Sequence, residues 1–167
     1  MDAIESLKQD HKRVLALIDQ CEGDVAPEQL HDLGKQIVRE LSIHAELEEK
    51  LVYPKVRVLP EAEANFEIVE ALEQHHVIKL IIGELNGMRP DDDVYLAKIL
   101  TLRDVLEAHI DEEEGEIFPM AERHMSKNQL KDLGRDMEEM RGKLEEQGPN
   151  LVVTMFREVA EQIRRMV

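Results

Sequence analysis

The sequence predicts an all-α fold: an up-down-up-down four-helix bundle with additional C-terminal helices. Two observations carry this. Apolar residues recur at helical spacing along nearly the whole chain, with no strand-like alternation. The breaks between the periodic segments are short and built around Gly, Pro and Asp, which suits antiparallel neighbouring helices. The 167 residues suit one domain, and 43% hydrophobic content is enough to bury a sizeable core.

The first helix runs from Ala3 to about Gln20, with Ile4, Leu7, Val14, Leu15 and Ile18 on one face and Asp2 as its N-cap. Glu22-Gly23-Asp24 ends it, and Pro27 suits the first turn of the next helix. That second helix carries Leu30, Leu33, Ile37, Leu41, Leu47 and Leu51 inward and reaches about Val52. Pro54 is expected to stop it, because proline lacks the N–H and clashes with the preceding turn. Pro60 is expected to open the third helix, whose stripe is Ile68, Ala71, Leu72, Ile78, Ile82 and Leu85. Asn86 to Pro90 breaks it. Asp91-Asp92-Asp93 starts the fourth at the positive end of the helix dipole, and Pro119 marks its end or a kink. Ser126 with Gln129 forms a capping box for a helix to about Gln147, and Leu151 to Met166 is a last amphipathic segment after Gly148-Pro149. The expected organisation is a bundle over 1–125 and a C-terminal helical extension over 126–167 that packs on the same domain.

Composition excludes several classes. A net charge of −16, from 37 acidic and 21 basic residues, gives no basic footprint for nucleic acid and disfavours anionic membrane surfaces. Aromatics are 3% with no Trp, which argues against a base-stacking surface. A single cysteine, Cys21, rules out an intramolecular disulfide and fits a reducing compartment. The polar N-terminus and the lack of an apolar run of membrane-spanning length lead us to expect a soluble, cytoplasmic protein.

The chemistry lies in an internal repeat. His44-Ala-Glu-Leu-Glu48-Glu49 followed by Tyr53-Pro54 recurs 65 residues later as His109-Ile-Asp-Glu-Glu113-Glu114 followed by Phe118-Pro119. His and Glu at i and i+4 share a helix face, and here that face is the apolar one. His11 on the first helix and His75 on the third also sit on inner stripes. Folding at the turns brings all four histidines to roughly one level, at about 1.5 Å of rise per residue. Four imidazoles and two carboxylates inside an apolar bundle would be costly without a partner. Divalent or trivalent cations resolve the problem, with the carboxylates bridging two ions and the histidines terminal. Mixed N/O ligation with open positions suits iron or manganese better than structural zinc.

This duplicated H-x3-E-E-x3-aromatic-Pro, with an earlier helix histidine before each copy, resembles the hemerythrin-like (HHE cation-binding) domain family over roughly Met1 to Met125. Leu130 to Glu146 is similar to the helix that often follows in bacterial members. The resemblance implies a four-helix bundle around two iron ions in a non-haem, carboxylate-bridged centre. It makes His11, His44, His75 and His109 terminal metal ligands and Glu48 and Glu113 bridging ones. Oxygen-carrying members have a further histidine one turn away on the third helix. Here Ala71 and Lys79 occupy the positions four residues either side of His75. That departure moves the expectation from simple oxygen carriage toward reaction with peroxide or nitric oxide, or toward labile iron.

Other residues are expected to lie outside the site. His76 points about 100° from His75, and His31 and His124 lie too far along their helices. Glu49 and Glu114 either hydrogen-bond the ligand histidines or, as the more frequent case, are solvated surface acids. Tyr53 and Phe118 are expected to cap the bundle end by packing. The last helix covers its own bundle, with a homodimer contact through it as the second reading. The function expected is binding of, or reaction with, a small ligand (O2, NO or peroxide) in oxygen or nitrosative stress response or sensing. The alternative is iron storage, iron donation or an iron-dependent regulatory module.

Overall fold

A computed structural model describes residues 1–166, and all its regular structure is helical. Helix α1 (Ala3–Asp19) opens with a capping box between Asp2 and Glu5. Helix α2 (Pro27–Leu47) begins with Pro27 in its first turn. It does not stop at Pro54. A π-helical segment, Glu48–Val52, leads directly into α3 (Tyr53–Val56). The Tyr53 N–H donates to the Glu48 carbonyl, five residues back, so the widened turn absorbs the proline where a tight turn would clash. The second copy does the same. Helix α5 (Asp93–Glu112) passes through the π-helical segment Glu113–Ile117 into α6 (Phe118–His124).

Between them lies α4 (Ala64–Gly87), which starts four residues later than Pro60 suggested. Residues 60–63 form turns instead. Helix α5 is capped by the Asp92 side chain, which accepts from the Val94 N–H. Helix α7 (Lys127–Gln147) has the expected Ser126/Gln129 capping box. It ends at Gly148, whose φ of 54° lies in the left-handed region that glycine tolerates. Helix α8 (Pro149–Met166) follows at once.

Helices α1, α2, α4 and α5 enclose the interior. Helix α7 lies along α1 and α2, burying Leu130, Leu133, Met137 and Leu144. Helix α8 lies on α4 and α2 through Leu151, Val152, Met155 and Val159. The apolar core falls into two clusters. One gathers Leu7, Leu47, Tyr53, Ile68, Ala71, Phe118 and Met137; the other gathers Val14, Ile37, Leu41, Ile78, Ile99 and Leu106. Chain order places the repeat histidines and glutamates at the junction of these two clusters. None of the described helices is long and apolar enough to cross a membrane.

Candidate metal centre

Six side chains converge at that junction, one histidine from each bundle helix and one glutamate at each π-turn. His11, His44, His75 and His109 are 1–3% exposed, and Glu48 and Glu113 are fully buried. Two quartets form, His11–His44–Glu48–Glu113 and Glu48–His75–His109–Glu113, each with its donor atoms within 4.8 Å of one another. The carboxylates belong to both quartets. Glu48 Oε2 lies 3.1 Å from His44 Nε2 and 3.2 Å from His75 Nε2. Glu113 Oε2 lies 3.2 Å from His11 Nε2 and 3.3 Å from His109 Nε2. Each carboxylate therefore touches one histidine from each half of the repeat.

Each histidine keeps its Nε2 inward because its Nδ1 is engaged from outside. The Nδ1 of His11 meets Glu114 Oε1 at 2.8 Å, and that of His75 meets Glu49 Oε1 at 2.9 Å. The Nδ1 of His109 meets Gln74 Oε1 at 2.6 Å, and that of His44 meets Asp10 Oδ2 at 3.5 Å. The expectation that Glu49 and Glu114 are surface acids is thus corrected. Each crosses to the histidine of a neighbouring helix, and Lys79 secures Glu49 at 2.6 Å. Asp10 and Gln74 were not singled out from the sequence. The signal was present, since each immediately precedes an inner histidine of the duplicated pattern.

Tyr53 is a second correction. Along an unbroken α-helix it would sit roughly 140° around from Glu48. The extra residue of the π-turn brings it back to the inner face. Its hydroxyl donates to Glu113 Oε1 at 2.6 Å and stands 3.1 Å from His75 Nε2 and 3.4 Å from Glu48 Oε2. Phe118, its counterpart, stacks on the His11 ring with centroids 5.8 Å apart and planes 9° apart. Burial, with Glu113 and Glu48 alongside, pushes the Tyr53 hydroxyl well above its usual value.

The donor set fits a pair of cations. His11 Nε2, His44 Nε2, Glu48 Oε1 and Glu113 Oε2 are buried, and although some lie close to one another, none makes a contact with hydrogen-bond geometry among the described residues. Orphaned polar atoms at this depth are costly. Two donors at right angles around one cation, each about 2.1 Å from it, stand about 3.0 Å apart, which matches the N–O edges of the cage. Without cations the cage takes up protons instead. Burial alone would lower His44, but Glu48 and Asp10 raise it to about 10. Against burial, Glu48 and Glu49 raise His75 to about 9. Burial, reinforced by the charged His75 and His44, lowers His109 to about 4. Against the upward push of burial, His44 and His75 hold Glu48 well below the usual carboxylate range.

The remaining histidines stay outside. His76 faces a cleft of about 240 Å³ between α4 and α8, lined also by Glu73, Lys79 and Met155. His124 bonds to Glu61 at 2.8 Å, and His31 is half-buried near the start of α2. Burial pushes the Cys21 thiol up to about 11.

The family model described as the Hemerythrin HHE cation binding domain matches residues 2–121. A curated DNA nickase of Nostoc sp. is 20% identical over 146 residues, which is 87% of this chain and 41% of that protein. An uncharacterized hemerythrin-like protein of Schizosaccharomyces pombe is 29% identical over 94 residues, 56% of this chain and 46% of that one. The chain thus spans less than half the length of either curated relative. The crystal structure of a hemerythrin HHE cation binding domain-containing protein from Mycobacterium kansasii superposes with a TM-score of 0.74 and 28% identity. The match covers 93% of this chain and 99% of that one.

Proposed function

The chain belongs to the hemerythrin HHE cation-binding family, and on that premise we propose that it holds two iron ions and binds or reacts with a small ligand. The observation that carries this reading is the sharing of Glu48 and Glu113 by both quartets. Two carboxylates common to two donor sets are what a bridged pair of ions requires. His11 and His44 would hold one ion, and His75 and His109 the other.

Two irons held there would supply redox chemistry toward a diatomic or peroxide ligand. The chain's own groups do the rest. Glu48 and Glu113 fix the separation of the pair, and the Nδ1 partners keep each Nε2 aimed inward. The apolar clusters on either side exclude bulk water. Tyr53 holds a proton on a buried phenol oxygen inside the cage, where it donates to Glu113, and it would have to turn from that carboxylate to donate to a bound ligand. This is an acid that the sequence reading did not find. It stands beside His75, where neither Ala71 nor Lys79 supplies the further histidine of oxygen-carrying members, and Ala71 packs in the same cluster as Tyr53. A proton donor at that place favours peroxide or nitric oxide chemistry over simple oxygen carriage, in stress response or sensing. Full burial of the shared carboxylates favours retained ions over iron donation. The DNA activity named for the Nostoc relative is not carried over, because a net charge of −16 opposes a phosphate backbone.

Iron quantification of anaerobically purified protein tests this reading. Close to two irons per chain are expected, and a single tightly held zinc would sink it. Glu48→Ala with Glu113→Ala should abolish the pair. Optical spectra after exposure to air, peroxide and nitric oxide then separate ligand chemistry from inert storage.

A further inference from the structure

We propose that Arg141 of α7 is a positioning residue for the metal centre, holding the Asp10 carboxylate so that His44 presents Nε2 beside Glu48. The inference rests on the two-ion reading above. It extends that centre to a helix beyond residues 2–121, where the family match ends.

Asp10 is 3% exposed, and its Oδ2 accepts from both Arg141 Nη2 and His44 Nδ1. Arg13 Nη1 lies 3.2 Å from the other oxygen. A buried carboxylate needs a counter-charge, and Arg141, whose side chain is only 13% exposed, brings one into the interior. The packed residues Leu133, Met137 and Leu144 fix α7 in place, so Arg141 is delivered from a rigid element.

The duplication supplies its own comparison. Gln74 precedes His75 as Asp10 precedes His11, and Gln74 Oε1 accepts from His109 Nδ1. The Gln74 amide donates to Glu112, which lies on the same helix as His109. That half is therefore anchored within α4 and α5 by a neutral group that needs no counter-charge. The other half uses a carboxylate and depends on α7. Its histidine contact, at 3.5 Å, is also the longest of the four, so His44 depends most on where its partner is held.

The test uses the full chain, freed of metal and titrated with cobalt(II), alongside Arg141→Met and the double variant Asp10→Asn with Arg141→Met. Wild type should take up two cobalt ions. Arg141→Met should weaken one of the two steps about tenfold, the scale seen when a partner of a ligating histidine is lost, and leave the other within about twofold. Asparagine at position 10 reproduces the Gln74 arrangement, so the double variant should recover the weakened step. Equal weakening of both steps together with a lower melting temperature would mark Arg141 as a merely structural ion pair and overturn the proposal. So would two unchanged steps, or failure of the double variant to recover.

A metal-independent measurement separates this proposal from the reading beneath it. In the metal-free protein, Arg141→Met should speed hydrogen exchange of the His44 Nδ1–H about tenfold or more and leave that of His109 unchanged, because exchange follows local opening. Equal exchange in both proteins overturns the positioning role. A wild type that binds no cobalt pair but keeps this contrast refutes the metal centre alone.

Discussion

Tyr53 donates its hydroxyl to the Glu113 carboxylate at 2.6 Å, linking the end of the first repeat copy to the shared carboxylate of the second. Phe118 at the matching position has only a ring to offer. The two halves of the centre are therefore chemically unequal. Tyr53→Phe should keep the metal content of wild type. It should slow the reaction of the loaded protein with peroxide by about 10²-fold, the lower end of what a positioned acid contributes. Stopped-flow absorption measures this, and an unchanged rate would remove Tyr53 from the chemistry.

Metal uptake should release protons. His44 at about 10 and His75 at about 9 are charged near neutral pH in the metal-free cage, and both must be neutral to coordinate. Loading should therefore expel about two protons per chain, detectable with a pH indicator in weak buffer. Affinity should rise with pH through the same window and fall in acid.

The metal-free protein should show the opposite trend. Raised histidines stabilise it fully below their unfolded value of about 6.5, and that contribution is lost as pH rises through about 9 to about 10. His109 acts in the other sense. Its value is lowered to about 4, so its contribution is present above about 6.5 and is lost as pH falls toward that value. Thermal melts of metal-free protein across this range should show a maximum between the two losses.

The adjacent histidines of α4 should separate cleanly. His75 faces the cage and His76 the outer cleft. His75→Ala should weaken metal binding by about 10-fold to 100-fold or more, as for loss of a ligand or its direct partner. His76→Ala should leave it nearly unchanged. Competition with a chelator reads both, and the reverse order would mean that α4 is rotated by one residue.

Gly34 leaves room for a side chain from the far side of the bundle. A Cβ there would lie 2.0 Å from the hydroxyl oxygen of Tyr95, which reaches in from α5 and is itself buried. Gly34→Ala should cost about 1–3 kcal/mol through overpacking. Urea unfolding measures this, with Gly142→Ala, where nothing lies near, as the control.

The bundle and the convergence of six side chains were legible because both follow from spacing along single helices. His44 with Glu48, and His109 with Glu113, share a face by the geometry of i and i+4. The caps at Asp2 and Ser126 were legible for the same reason, since capping acts over three residues. The passage of the helix through Pro54 was not, and at Pro119 an end and a kink both stayed open. A π-turn changes the period itself, and a reading at 3.6 residues per turn ends the helix and sends Tyr53 to the wrong side.

Helical periodicity is a local property, so an acidic helical bundle with four histidines and two glutamates turned inward follows from the residue order. Which atoms meet follows from packing. Asp10 reaches His44 across 34 residues, Glu114 reaches His11 across 103, and Arg141 reaches Asp10 across 131. Those contacts depend on the rotation and depth of one helix against another. Packing sets both, and no spacing within a single helix records them.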